Sequence, residues 1–240
     1  MLNVTVLATG STGNCYTLTN GEAVIMLDCG LTFKKLHRLA NFQLPTAVFV
    51  THEHGDHAKA VKDYLKRGVD VCMTVGTMTA LKLELHHRLL LMRPECEVFF
   101  INKKIRVENF YIKHDAKEPC GFIIEDNDDR VLYLTDAREI PPLEGKFTKL
   151  LIEANHSEVE IKERMARGTL DIKQCKRIMD SHLSVEQVLD FLEKTDLSKI
   201  KEIWLIHLSG RHGNGEYFKE LVEAMTGKTV YVANNEIEER

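Results

Sequence analysis

The chain has 240 residues, 44% hydrophobic and 28% charged, which is ordinary globular material with enough apolar content for a substantial core. A formal net charge of −4 argues against a generally basic coat for nucleic acid, but leaves room for a local basic groove or for bound cations that bring their own charge. No apolar run approaches the length of a membrane span, and residues 2–7 read as a strand with no basic region and signal core before them.

In chain order, apolar alternation at Val4, Val6 and Ala8 predicts a strand that breaks at Thr9-Gly10-Ser11-Thr12-Gly13-Asn14. Strand character resumes over residues 15–19 and 23–27, and Asn20-Gly21 between them is a hairpin signal. Asp28-Cys29-Gly30 ends the third strand, residues 32–41 read as a helix, and Pro45 precedes a strand over 47–50. Helical spacing at Val61, Tyr64 and Leu65 is closed by Gly68. A short buried strand over 69–73 follows, then a helix or helix pair over 76–91. Further strands are expected at 97–100, 110–113, 121–124, 130–134 and 149–154. Charged, helix-prone sequence runs to about residue 180. Residues 184–194 form an amphipathic helix, 203–206 a strand, 216–225 a helix and 229–232 a last strand. No linker or repeat divides the chain, so a single domain over 1–240 is expected. The order of elements is α/β, with a two-sheet core and outer helix layers burying both kinds of face. The six cysteines form no C-x-x-C pair, and reduced thiols in a cytoplasmic protein are the better expectation than a disulfide framework.

Residues 52–57 read His-Glu-His-Gly-Asp-His and follow an apolar strand. Imidazole nitrogens and carboxylate oxygens are common ligands of divalent metals. Alternation along an extended loop sends His52 and His54 to one side, while Asp56 and His57, where the chain turns, can face a second ion. Two ions need more ligands than one loop holds. His114, Asp136 and His207 each follow an apolar strand, at the edge where a site receives its groups. Glu53 and Gly55 read as spacers.

Thr51-His52-Glu53-His54-Gly55-Asp56-His57 resembles the signature motif of the metallo-β-lactamase superfamily of dinuclear metallohydrolases. The resemblance implies a four-layer αββα sandwich holding two divalent ions, Zn²⁺ or Mn²⁺. One ion would sit on His52, His54 and His114 and the other on Asp56, His57 and His207, with Asp136 bridging. Two ions roughly 3.5–4 Å apart can hold a bridging hydroxide as nucleophile and clamp the attacking and leaving oxygens of an in-line displacement. The leaving alkoxide then needs a proton. Ser181-His182-Leu183-Ser184 offers His182 as general acid, although a helix-capping role for His182 remains the alternative. The arrangement is similar to that in the ribonuclease Z and cyclic-phosphodiesterase groups, which also carry a Glu-Ala pair like Glu153-Ala154. Glu153 would raise the pKa of His182. The catalytic set is therefore Asp56, His182 and Glu153.

The ordered segments 8–14, His114-Asp115-Ala116 with Glu118-Pro119, Glu153-Ala154-Asn155-His156, 181–184 and His207-Leu208-Ser209 together resemble the YycJ/WalJ group of that superfamily. That group is associated with 5′→3′ exonuclease activity on double-stranded DNA. Thr9 and Thr12 replace its usual serines, Ser157 its usual acidic residue, and residues 210–215 its Asn-rich turn. Ser11, Asn14 and His156 are candidate substrate-binding residues, against the plainer readings of a Gly-bearing turn for the first two and a surface residue for His156. Lys162, Arg164, Arg167, Lys173, Lys176 and Arg177 form either a track for DNA or a solvated face, since Glu158, Glu160, Glu163 and Asp171 interleave with them. The expected function is a dinuclear metal-dependent phosphodiesterase, a 5′→3′ DNA exonuclease. The alternatives are a small-molecule (cyclic nucleotide) phosphodiesterase, then a thioester or lactam hydrolase or a non-catalytic binding module of the same fold.

Overall fold

Sustained apolar alternation becomes strand in a computed structural model that describes residues 1–39, 42–93 and 98–234. Two compact units result, one formed mainly of Met1–Tyr111 and Ala116–Asp129, the other of Ile112–Asp115 and Arg130–Ala233.

In the first unit, β1 (Asn3–Ala8), β2 (Cys15–Thr19), β3 (Val24–Leu27), β4 (Ala47–Phe49), β5 (Asp70–Thr74) and β6 (Leu89–Met92) form a sheet in sequence order. The β1–β2–β3 meander is antiparallel and β3 to β6 are parallel, so the C-terminal ends of β3 and β4 lie at the same edge. Among the described residues this unit carries the short helices α1 (Phe33–Leu36), α2 (Gly55–Ala58), α3 (Val61–Lys66) and α4 (Val75–Ala80). Val61, Tyr64 and Leu65 of α3 bury at helical spacing in one apolar cluster with Val48, Val50, Val71 and Met73. Each fully buried Val or Leu stabilises the fold by about 1.5–3 kcal/mol. A three-stranded antiparallel ladder follows, β7 (Val98–Ile101), β8 (Ile105–Tyr111) and β9 (Cys120–Glu125).

Three expectations change here, the first being the strand expected over 110–113, which is the end of the longer β8 and stops at Tyr111. The helix expected over 32–41 is the single turn α1, with residues 40 and 41 outside the described set. The helical reading of 76–91 ends at Ala80, and Lys82 takes a left-handed backbone (φ 51°) that stops the helix. Leu89-Leu90-Leu91-Met92 then pairs with β5 as a strand, because a short uninterrupted apolar run fits a buried parallel strand as well as a helix. Glu97, expected to open a strand, lies outside the described residues, as does Cys96.

The second unit is a parallel sheet in the order β10 (Arg130–Leu134), β11 (Lys149–Glu153), β12 (Glu202–Ile206), β13 (Thr229–Val232). Its helices are α5 (Glu158–Ala166), α6 (Ile172–Ser181), α7 (Val185–Lys194) and α8 (Gly215–Thr226). Ser184 and Gln187 close a reciprocal capping box on α7, Asn214 caps α8, and Gly227 ends α8 in the left-handed conformation. Parallel strands require crossovers, which brings the C-terminal ends of β10, β11 and β12 to one edge. Among the described residues no helix is long and apolar enough to cross a membrane. Cys15, Cys29, Cys72, Cys120 and Cys175 are buried free thiols.

Candidate metal centre

Beyond β4 the chain runs extended through Thr51-His52-Glu53-His54 and turns into α2 at Gly55. The rings of His52 and His54 lie 4.6 Å apart and those of His52 and His57 4.2 Å apart, so one loop gathers three imidazoles. Behind them sits Asp28, fully buried at the end of β3 with φ 57°. Its carboxylate accepts the backbone N–H of Thr51 at 2.8 Å and the Thr51 hydroxyl at 3.0 Å. It also accepts the Nδ1–H of His57 at 2.7 Å. The Thr51 hydroxyl has one proton, and an ionised carboxylate only accepts, so that proton goes to Asp28. Thr51 Oγ1 therefore accepts from His52 Nδ1 at 2.9 Å. Both histidines are left as Nε2 lone-pair tautomers, the form a metal requires, with their rings oriented by a buried carboxylate. Asp28 is a candidate orienting residue that stands outside the set expected from the sequence. Its signal was an Asp at the end of an apolar strand, the same context that singled out Asp136.

Three segments interlock around this loop. Asn14 N–H donates to the Asp56 carbonyl at 2.7 Å, Cys29 N–H to the His57 carbonyl at 2.7 Å, and Gly30 N–H to the Asn14 carbonyl at 2.9 Å. A Cβ on Gly30 would lie 1.7 Å from the Asp56 carbonyl oxygen, so the close approach demands glycine. Asn14 is buried, with Oδ1 accepting from Gly10 N–H and the Tyr16 hydroxyl and its amide 3.0 Å from His57 Nε2. Ser11, in the same turn, is exposed.

In the second unit, Glu153 at the end of β11 organises the site. Its Oε1 lies 2.8 Å from both His182 Nδ1 and His207 Nδ1, and its Oε2 accepts Leu183 N–H at 3.1 Å and Ala137 N–H at 3.2 Å. Asp136 Oδ1 lies 2.9 Å from His207 Nδ1 and 3.1 Å from His182 Nδ1. Asp136 (φ 49°) and His207 (φ 54°) both hold the left-handed conformation just past their strands. Ligand-capable atoms of Asp136, Glu153, His182 and His207 all lie within 4.8 Å of one another. His114 donates from Nδ1 to the Ser181 carbonyl at 3.2 Å, and its Nε2 lies 3.1 Å from Asp115 Oδ1.

Burial pushes Glu153 up, but the charge of His182 and hydrogen bonds from His182 and His207 outweigh it and hold the carboxyl below its usual range. Burial pulls His182 down, but the Glu153 charge and hydrogen bonds to Asp136 and Glu153 carry it to about 10. Ser184, not His182, caps α7, so the capping alternative for His182 falls away. His156 is 1% exposed, its ring nitrogens have no hydrogen-bond partner among the described residues, and burial holds its pKa down. On α5, Lys162 and Arg167 pair with Glu158 and Glu163 one turn away, and Arg164 donates to the Arg211 carbonyl. Imidazoles with lone-pair Nε2, carboxylates beside them and buried acceptors behind them make up a donor set that fits divalent metal ions.

Comparison with known proteins agrees with that chemistry. Residues 24–208 match the family model described as the beta-lactamase superfamily domain. The chain is 29% identical over 226 residues to the exodeoxyribonuclease YycJ of Bacillus anthracis, covering 87% of this chain and 83% of that protein. It is 28% identical over 223 residues to the exodeoxyribonuclease WalJ of Streptococcus pneumoniae serotype 2, strain D39, covering 85% and 80%. Among solved structures, the metallo-β-lactamase fold protein YhfI from Bacillus subtilis superimposes with a TM-score of 0.73 at 15% identity, covering 98% of this chain and 97% of that one. A diphosphatase of the PhnP family gives 0.68 at 16% identity, covering 98% and 96%. At those identities the structural likeness speaks for the fold alone, while the family model spans most of the chain. The α/β architecture is the metallo-β-lactamase fold, and the chain belongs to the β-lactamase superfamily as a metal-dependent hydrolase.

Proposed function

We propose that the two units act as one domain, a dinuclear phosphodiesterase that degrades DNA as a 5′→3′ exonuclease in the cytoplasm. In this reading His52, His54 and His114 would hold one divalent ion, Zn²⁺ or Mn²⁺, Asp56, His57 and His207 would hold the other, and Asp136 would contribute to both. When bound, two such ions supply Lewis acidity towards the phosphodiester and an activated water. The chain's own residues do the rest. Asp28 and Thr51 orient His57 and His52, and Ser181 orients His114. Glu153 pins His182 and His207 through one carboxylate oxygen.

The observation that carries phosphodiester chemistry is the Glu153–His182 pair. An imidazolium held through Nδ1, with its side chain 22% exposed, retains an Nε2 proton to give to a departing alkoxide. The names of the bacterial relatives support DNA as the substrate. Ser11, exposed in the Gly10–Gly13 turn, is the proposed phosphate contact. Asn14 is buried with its amide 3.0 Å from His57 Nε2, and His156 is buried as well, so neither is placed to meet substrate from solvent. The buried free thiols suit a reducing compartment.

A small-molecule phosphodiesterase is the second reading, favoured by the α5 cations Lys162 and Arg167 being spent on neighbouring carboxylates. The deciding experiment presents the protein, loaded with Mn²⁺ or Zn²⁺, with end-labelled duplex DNA, cyclic nucleotides, a chromogenic phosphodiester and a thioester. Release of nucleotides from the 5′ end supports the exonuclease; turnover of cyclic nucleotides alone replaces it with the second reading.

A further inference from the structure

Thr51 and Glu53 alternate with His52 and His54 along the extended loop, so their side chains leave on the opposite side. Thr51 reaches Asp28; Glu53 reaches forward in sequence. Its Oε1 accepts the backbone N–H of Lys117 at 2.7 Å. Cys120 N–H donates to the Thr51 carbonyl at 3.0 Å, two residues before Glu53. From the other end of the same stretch, Glu118 Oε2 accepts Gly76 N–H at 2.6 Å, and the Thr74 hydroxyl donates to the Glu118 carbonyl at 2.8 Å. A Cβ on Gly76 would stand 2.3 Å from the Glu118 Cβ, so the stretch is seated directly on the start of α4.

Residues 114–118 form neither helix nor strand, and a loop without an internal ladder is held only by such outside anchors. We propose that Glu53 is a positioning residue: its carboxylate, by holding Lys117 N–H, fixes the loop that follows His114 and so sets how that histidine is presented to metal. The motif's second residue is then an orienting acceptor and not a spacer. This rests on the reading of His114 as a metal ligand.

Three variants separate the possibilities. Glu53→Ala removes the acceptor, Glu53→Gln keeps an amide oxygen in its place, and Lys117→Ala leaves the backbone donor untouched. Zn²⁺ titration of metal-free protein should show one of the two equivalents weakened about 10–100-fold in Glu53→Ala, the range for loss of an orienting partner. Glu53→Gln and Lys117→Ala should stay close to wild type. Amide hydrogen exchange on the metal-free proteins, which needs no ion, should show Lys117 losing protection in Glu53→Ala alone. Unchanged protection at Lys117 overturns the clamp. Lost protection with unchanged Zn²⁺ affinity overturns its positioning role. Should wild type itself bind no Zn²⁺, the positioning role falls with the ligand reading, and exchange at Lys117 still decides whether the Glu53 bond exists in solution.

Discussion

Asp28 and His57 stand 29 positions apart and share a 2.7 Å hydrogen bond with neither side chain exposed to solvent. Removing the carboxylate leaves the His57 ring N–H and the Thr51 donors buried without an acceptor, at about 1–3 kcal/mol for each. Asp28→Ala should therefore lower the urea midpoint of the metal-free protein. It should also weaken Zn²⁺ binding about 10–100-fold, because His57 and His52 lose the group that sets their tautomers. Chemical denaturation and metal titration on the same preparation check both effects. Wild-type affinity in a correctly folded variant would refute the orienting role.

The glycines of the site make opposite predictions. Gly30→Ala puts a methyl into the space of the Asp56 carbonyl and should cost about 1–3 kcal/mol or more, with the metal loop displaced. Gly55→Ala, inside the histidine motif, meets nothing within 4 Å at the first position of α2 and should be nearly neutral. Thermal melts of the two variants side by side give the answer.

His182→Ala should leave metal content unchanged and lower turnover by about 10²–10⁴-fold on an unactivated phosphodiester, the range for loss of a general acid. The deficit should shrink on a p-nitrophenyl ester, whose leaving group departs without a proton. An equal deficit on both substrates would mark His182 as structural.

Glu186 carries a pH signature away from the metals. Burial pushes its carboxyl up, but the Ser157 hydroxyl and the N–H groups of Glu158 and Val159 outweigh that and hold it below the usual range. A depressed folded pKa contributes stability above the unfolded value of about 4.3, and that contribution is lost as pH falls through the folded value. The wild-type lead in melting temperature over Glu186→Gln should be full at pH 6–7 and vanish in acid. A lead that grows in acid would contradict the assignment.

The histidine motif and the strand-end positions of His114, Asp136 and His207 were legible in the sequence because ligand-capable residues directly after apolar runs are local signals. The pairing of Glu153 with His182 was legible only through resemblance to other phosphodiesterases. Asp28 carries the same strand-end signal as Asp136, but that signal does not reveal a partner 29 positions later in the chain. The Glu53 hydrogen bond is hidden for a related reason: its partner is a backbone N–H, which has no letter in the sequence. Residues 89–91 fall within a stretch that reads as helix from the sequence, because consecutive apolar residues carry no period.

Asp28, Asp136 and His207 hold left-handed backbone conformations that non-glycine residues adopt at a cost of order 1–3 kcal/mol each. Asp and His are among the side chains that tolerate that region best, and β-branched residues among those that tolerate it least. The same three corners that aim the side chains also limit what can replace them. An exchange that keeps a polar atom but adds a branch at Cβ, such as Asp28→Thr, loses on backbone grounds before any hydrogen bond is counted. Directed evolution towards a new substrate would therefore find more freedom in the exposed turn around Ser11 than at these corners, whatever chemistry is selected for.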